Sequence, residues 1–173
     1  DWDDGVTQIE RIPAGSTSWV VERLFADDAP SGTTFDLRTV TVTLEDDDLG
    51  VATGNTAVTV KNSDPDALFF PDIAVATGED FLLPALFFDA GLLDTHQFLW
   101  EITDETGTVV FQSHELEPTT SLAVAGTYVA ELHILDDDDG EGGYSLEIAV
   151  VQDLLMTWDA KPLDTTLREG DTA

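Results

Sequence analysis

The chain alternates apolar and polar residues over short stretches, the pattern of β-strands that bury one face. The stretches 38–45 (RTVTVTLE) and 128–135 (YVAELHIL) show it most clearly. Each runs into a loop of consecutive Asp residues that contains Gly, where we expect the chain to turn back. Strands of this length separated by turn signals predict an all-β fold.

The two stretches belong to an internal repeat. Segment 38–50 aligns with segment 128–140 without gaps, at an offset of 128 − 38 = 90 residues, and at that offset Val58 falls on Ile148. A strand, an acidic loop and a second strand therefore recur as one unit. A period near 90 residues with short alternating strands predicts tandem immunoglobulin-like β-sandwich domains.

The repeat divides the chain into three predicted parts. Residues 1–63 correspond to the C-terminal part of a sandwich whose first strands are missing, 64–152 to a complete sandwich, and 153–173 to the opening strands of a next repeat. The strands predicted for the complete copy are Ile73–Ala76, Phe81–Phe88, Gln97–Thr103, Thr108–Ser113, Thr120–Val124, Tyr128–Leu135 and Tyr144–Val151.

Composition narrows the possible partners. Thirty-six Asp and Glu against six Lys and Arg give a formal net charge of −30, which repels nucleic acid and acidic membrane surfaces and attracts cations. Hydrophobic residues make up 42% of the chain, enough to fill a core, and cysteine is absent. No apolar run could span a bilayer and no leader opens the chain, so we expect a soluble, mature segment without membrane insertion.

The acidic loops are the strongest candidates for a binding site. Several adjacent carboxylates repel each other unless a cation offsets their charge. Calcium suits them, because it takes six to eight oxygen ligands in flexible loops, whereas zinc prefers nitrogen or sulfur. The alternative is a solvated acidic turn. The candidate calcium ligands are Asp46, Asp47, Asp48, Asp136, Asp137, Asp138, Asp139, Asp89, Asp94, Asp27 and Asp28.

A rival explanation of the charge is adaptation to high salt, in which carboxylates cover the whole surface. Clustering of acids in homologous loops favours ion binding over that explanation. The linker Asn62–Asp66 is itself acidic, and Pro65 restricts it, so calcium at this position would turn a flexible joint into a stiff one.

Catalytic patterns are weak, and we predict no enzyme activity. The three histidines, His96, His114 and His133, are scattered, and no serine lies in a Gly-x-Ser-x-Gly turn. Chance pairs of carboxylates are expected in so acidic a chain.

The four tryptophans divide into two kinds. Trp2 and Trp100 occupy similar strand positions and are expected in cores, whereas Trp19 and Trp158 are candidates for an exposed, sugar-stacking surface.

Several motifs together resemble polycystic-kidney-disease (PKD) type immunoglobulin-like domains. They are DWDDG at 1–5, the strands ending in EDDD and DDDDG, and the turns PAGSTS at 13–18 and AGTY at 125–128. The second copy departs from the family pattern, with WEITD at 100–104 in place of a tight Gly-Asp-Gly turn. The resemblance implies an extracellular β-sandwich with a spacer or binding role.

The incomplete first copy and the opening strands at the other end predict assembly. We expect partners to be neighbouring repeats or copies of the same chain, joined head to tail with residues 153–173 donating strands. The predicted function is a secreted, cell-surface structural or adhesive module stiffened by calcium and built into an array or filament. The alternative is an accessory module that attaches a secreted enzyme to a glycan or a surface protein.

Overall fold

The computed structural model describes residues 1–28, 30 and 32–152, and every regular element in them is a β-strand. The predicted opening strands at 153–173, together with Trp158, lie outside the described residues. The strands are β1 Phe35–Glu45, β2 Val51–Lys61, β3 Asp66–Ala67, β4 Ile73–Ala76, β5 Asp80–Leu82, β6 Phe87–Phe88, β7 His96–Thr103, β8 Val109–Ser113, β9 Thr119–Ser121, β10 Gly126–Asp136 and β11 Glu141–Val151.

Strands β3–β11 form a β-sandwich. One layer is a five-stranded sheet in the order β4-β11-β10-β7-β8, antiparallel except for the parallel pair of β4 and β11. The second layer contains the pairs β3–β6 and β5–β9. The core lies between the layers, because alternate residues of β10 and β11 are buried against Leu83 and Leu122.

Two side chains in this core are hallmarks of immunoglobulin-like sandwiches. Trp100 on β7 is fully buried, and its Nε1 donates a hydrogen bond to Leu116 O at 2.9 Å. Tyr128, near the start of β10, donates from its hydroxyl to Val124 O, four residues upstream, at 2.9 Å. A buried Trp on an inner strand of the sheet and a Tyr that closes a corner in this way identify the sandwich as immunoglobulin-like.

The strands predicted from the sequence are present with ends shifted by up to three residues, as at the start of β11, and larger differences occur at three places. The predicted strand 81–88 is interrupted, since Pro84 has no N–H to offer a ladder, and it splits into β5 and β6. The predicted strand 120–124 ends earlier, at Ser121. The two-residue strand β3 was not predicted, because it is too short to show alternation.

The hairpin β1–β2 has the same register as β10–β11. Arg38 pairs with Val58 as Tyr128 pairs with Ile148, each 90 residues later. The N-terminal residues lie along β1, where the backbone N–H of Thr41 donates to Asp1 O at 2.9 Å.

The two hairpins differ in what covers them. Leu132 and Ile134 are buried on β10, whereas the equivalent Val42 and Leu44 on β1 are 54% and 51% exposed. Among the described residues, no second sheet pairs with β1–β2 to enclose that face. The tandem domain arrangement stays a prediction.

Candidate metal centre at the junction

The tight turn between β10 and β11 is built around Asp136. Its Oδ1 accepts hydrogen bonds from the backbone N–H of Asp138 at 2.9 Å and of Gly140 at 2.6 Å. The turn places Asp138 inward, where the side chain is completely buried, while Asp139 adopts a positive φ of 65° and is exposed. A short polar residue such as Asp tolerates that backbone conformation.

A loop preceding β1 reaches this turn. The backbone N–H groups of Gly32 and Thr33 both donate to Asp138 Oδ1, the second at 3.4 Å. A backbone hydrogen bond of 3.2 Å from Leu93 N–H to Ala26 O joins the same region to the loop between β6 and β7. Three loops distant in sequence therefore converge on one point.

The linker and the β6–β7 loop also contact the β10–β11 turn. Asn62 Nδ2 donates to Asp136 Oδ2 at 2.8 Å, and the backbone N–H of Thr95 donates to Asp137 Oδ1 at 2.7 Å. Pro65 is buried, and a side chain at Gly142 would overlap its carbonyl oxygen. The linker is thus packed against the start of β11.

We call the junction the region where the loop preceding β1, the linker Asn62–Asp66, the β6–β7 loop and the β10–β11 turn contact each other. Seven aspartates meet there. They form three overlapping groups, and within each group one carboxylate oxygen per residue lies within 4.8 Å of the others. Oxygens bound to one calcium ion at about 2.4 Å are at most about 4.8 Å apart, so each group fits the coordination sphere of that ion. The groups are Asp27, Asp28 and Asp138; Asp89, Asp94 and Asp136; and Asp94, Asp137 and Asp138.

Four of the oxygens in this cluster are buried and accept no hydrogen bond. They are Asp28 Oδ2, Asp138 Oδ2 and both carboxylate oxygens of Asp94. Asp28 is only 4% exposed and Asp138 is 0% exposed. Buried charged oxygens without partners are rare, because the lost hydration costs several kcal/mol unless a charge or donor replaces the water. A bound cation would satisfy all four.

The electrostatics of the cluster agree with that need. Burial, followed by a hydrogen bond with Asp138 and its charge, raises the pKa of Asp28 to about 6. That hydrogen bond needs a proton on one of the two acids, so it is absent when both are ionised, and Asp28 Oδ2 and Asp138 Oδ2 then have no partner. Burial, followed by the charges of Asp89 and Asp27, raises the pKa of Asp94 to about 6. Two carboxylates 4.8 Å apart repel by about 3 kcal/mol at an effective dielectric constant of 20.

The donor set selects among metals. All seven acids offer oxygen, and the nearby His96 is engaged through Nε2 with Asp89 Oδ2 at 2.9 Å. Zinc and copper prefer nitrogen and sulfur ligands, and magnesium keeps most of its water, whereas calcium takes several carboxylates from flexible loops. The residues present fit calcium best.

The structure separates the eleven predicted ligands into two sets. The seven that meet at the junction are Asp27, Asp28, Asp89, Asp94, Asp136, Asp137 and Asp138. Asp46, Asp47 and Asp48 form the exposed β1–β2 turn, and with the exposed Asp139 they join no such group among the described residues.

The β1–β2 turn nevertheless has the geometry of its counterpart. Asp46 Oδ1 accepts from the backbone N–H of Asp48 at 3.0 Å and of Gly50 at 2.6 Å, as Asp136 does in its own turn. The difference is that no described loop packs over it.

The sequence did not identify the groups that orient the acids. Asn62, Thr95 and His96 hold aspartates of the cluster, as do the backbone amides of Gly32 and Thr33. Only Asn62 had a signal in the sequence, as the polar residue that follows β2 at the start of the linker. Backbone donors leave no trace in residue types.

The other candidate residues lie away from the cluster or play other roles. Trp100 is in the core as predicted, Trp2 is half-buried with its ring 6.2 Å from Phe25, and Trp19 is 45% exposed. The ring of His114 bonds to Phe98 O at 2.8 Å. Among the described residues, no helix has the length and apolar character needed to cross a membrane.

No family model and no curated protein matches the chain. Among the solved structures that are similar to it are a PKD domain and a protein with fibronectin(III)-like modules. The PKD domain from human KIAA0319 is 13% identical, with a TM-score of 0.40, over 53% of this chain and 84% of that one. The fibronectin(III)-like modules of Clostridium thermocellum CbhA are 21% identical, with a TM-score of 0.41, over 68% of this chain and 63% of that one. The strand pairing and the buried core define the fold. By those features, the strands from Asp66 to Val151 form a β-sandwich of the immunoglobulin-like kind.

Proposed function

We propose that this chain is a non-catalytic, extracellular structural or adhesive module. Calcium bound at the junction would stiffen the connection between the β1–β2 hairpin and the sandwich of strands β3–β11. The observation that carries the proposal is the set of buried, unpartnered carboxylate oxygens at the junction. Asp28, which precedes β1, and Asp138, in the sandwich, both contribute to it. An ion held from both sides would resist bending at the linker, because bending would remove its ligands.

A calcium titration with matched variants tests this proposal. Asp138 and Asp48 are equivalent positions, 90 residues apart, but only Asp138 is buried in the cluster. We expect calcium to raise the Tm of the wild type and of Asp48→Asn by many degrees, and to raise that of Asp138→Asn far less. Equal calcium responses in the two variants would contradict a site at the junction. The absence of any calcium effect on the wild type would remove the proposal.

Assembly into an array or filament is the second part of the proposal. It is supported by the exposed inner face of β1–β2, whose counterpart on β10–β11 is covered by a second sheet. The expected cover is the opening strands of another repeat or copy, which is the role assigned to 153–173. Light scattering and electron microscopy test it. We expect Val42→Glu to suppress concentration-dependent assembly, and monomers of wild type at all concentrations would contradict it.

An accessory binding module is the alternative function. The exposed indole of Trp19 favours it, because exposed aromatic rings stack on sugars. A glycan array would separate the two functions. Binding that Trp19→Ala abolishes would favour the accessory module, and the absence of glycan binding would leave the structural role.

A further inference from the structure

The acidic cluster contains two separate groups of carboxylates. The group of Asp27, Asp28 and Asp138 shares no residue with the group of Asp89, Asp94 and Asp136. Resting on the proposed calcium function, we infer that the junction is a two-ion centre in which Asp94 bridges the ions. One ion, the junction ion, is held by Asp28 and Asp138. The other, the inner ion, is held within the sandwich by Asp89, Asp94 and Asp136.

The unpartnered oxygens assign the ligand atoms. Asp28 and Asp138 each have one buried oxygen without a hydrogen bond, and these two residues belong to the same group. Asp94 differs from every other acid in the cluster, because both of its oxygens are buried and unpartnered. A carboxylate with two free oxygens can bind two metals at once.

The overlap of the groups places Asp94 between the two ions. It belongs to one group with Asp89 and Asp136, and to another with Asp137 and Asp138. Asp138 in turn belongs to the group that contains Asp28. Asp94 therefore neighbours ligands of both proposed ions, Asp89 and Asp136 on one side and Asp138 on the other.

The negative charge of the cluster also favours two ions over one. Seven aspartates carry seven negative charges, and a single divalent ion would leave five of them uncompensated at separations of a few ångströms. A second ion leaves three. Asp27 and Asp137 are only partly buried, so water can screen part of that remainder.

The two ions are expected to act differently. The ligands of the inner ion come from the β6–β7 loop and the β10–β11 turn of one sandwich, so this ion orders loops that are already neighbours. The junction ion joins Asp28, which precedes β1, to Asp138. The junction ion should therefore restrain the linker directly, because it ties residues on both sides of Lys61, whereas the inner ion contacts the linker only through the hydrogen bond from Asn62 to its ligand Asp136.

Ion counting on the whole chain tests this inference. We expect native mass spectrometry and calorimetry with CaCl2 to give two ions for the wild type and for Asp48→Asn, and one for Asp28→Asn. Asp94→Asn should lose the two-ion form. With calcium, Asp28→Asn should regain tryptic cleavage after Lys61, whereas wild type stays protected. The Asn side chains keep the shape and remove buried charge, so these variants should fold, which circular dichroism checks.

The outcomes separate this inference from the proposed function. A wild-type chain that binds one ion, or an Asp28→Asn chain that still binds two, would overturn the two-ion centre and leave a calcium-binding module. A wild-type chain that binds none would overturn both.

Discussion

A single residue illustrates the chemistry of this molecule. Asp138 is fully buried, and one of its oxygens is held by backbone amides while the other has no partner. An ionised carboxylate in that position is destabilising unless a positive charge lies next to it. The same loops that bury Asp138 bring Asp28 and Asp94 towards it. The fold therefore places several negative charges close together, and a cation is needed to offset them.

The raised pKa values predict how the metal-free protein responds to pH. Asp28 and Asp94 have pKa values of about 6 in the folded state and near 3.8 in the unfolded chain, so the folded state holds protons that the unfolded state releases. Stability is therefore lost as pH rises from about 4 through 6, and stays lost above. We expect a Tm about 5 °C higher at pH 5 than at pH 7.5 in calcium-free buffer.

Calcium should reverse this dependence, because metal binding requires the ionised carboxylates. In millimolar calcium the Tm should be higher at pH 7.5 than at pH 5. A double variant with Asn at both positions should lose the metal-free slope. A metal-free Tm that increased with pH over this interval would show that these acids are not buried as described.

A glycine in the β10–β11 turn offers a second test. A side chain at Gly140 would overlap Asp136 Oδ2 and lie 2.7 Å from Asn62 Nδ2. Gly140→Ala should therefore displace both groups and lower calcium affinity by about 10-fold, as changes in the groups that support metal ligands commonly do. Calorimetry measures the loss.

The matched control is Gly50→Ala in the β1–β2 turn. Its added side chain would lie 2.6 Å from Asp46 Oδ2, a similar local clash outside the acid cluster. Calcium affinity should stay at the wild-type value. Equal losses in the two variants would contradict the assignment of binding to the junction.

At the scale of elements, the two hairpins show that the same strand register does not determine whether a hairpin's side chains are buried. They have equivalent registers and the same Asp-centred turn, yet the inner face of one is enclosed and that of the other is half open. The second sheet makes the difference, because it lies over β10–β11 through Phe81, Leu83 and Leu122. Hairpins alone bury too little surface to be stable, so the enclosed hairpin should carry most of the stability.

Equivalent truncations in the two hairpins measure that difference. Leu132→Ala removes a buried side chain and should lower the free energy of unfolding by about 3 kcal/mol. Val42→Ala, at the equivalent exposed position, should lower that of the monomer by less than about 1 kcal/mol. Urea unfolding in calcium compares them. Similar losses would mean that another surface covers Val42 in solution.

At the scale of the whole molecule, the distribution of charge separates two explanations of the acidic composition. Salt adaptation spreads carboxylates evenly, and monovalent salt screens them. Here seven acids meet at one junction, where the loop preceding β1, the linker and two loops of the sandwich contact each other. Loss of the ions should therefore loosen this junction more than it loosens the sandwich.

Small-angle scattering tests that expectation. We expect chelation of calcium to increase the radius of gyration and broaden the distance distribution, and added calcium to restore both. Sodium chloride at about 1 M, where the screening length is about 3 Å, should not restore them in the absence of calcium. Restoration by sodium chloride alone would favour salt adaptation.

The sequence by itself determined most of the strands, the repeat and the turns, because these depend on local alternation and on residue types that reverse the chain. The pairing of Arg38 with Val58 follows from the same offset that aligns the acidic loops. Membership of the cluster was decided only by tertiary structure. Asp48 and Asp138 occupy equivalent positions in the repeat and in the same kind of turn, but Asp138 alone is covered by loops from other parts of the chain. Burial and ion binding depend on which distant segments pack over a residue, and a local pattern carries no record of that.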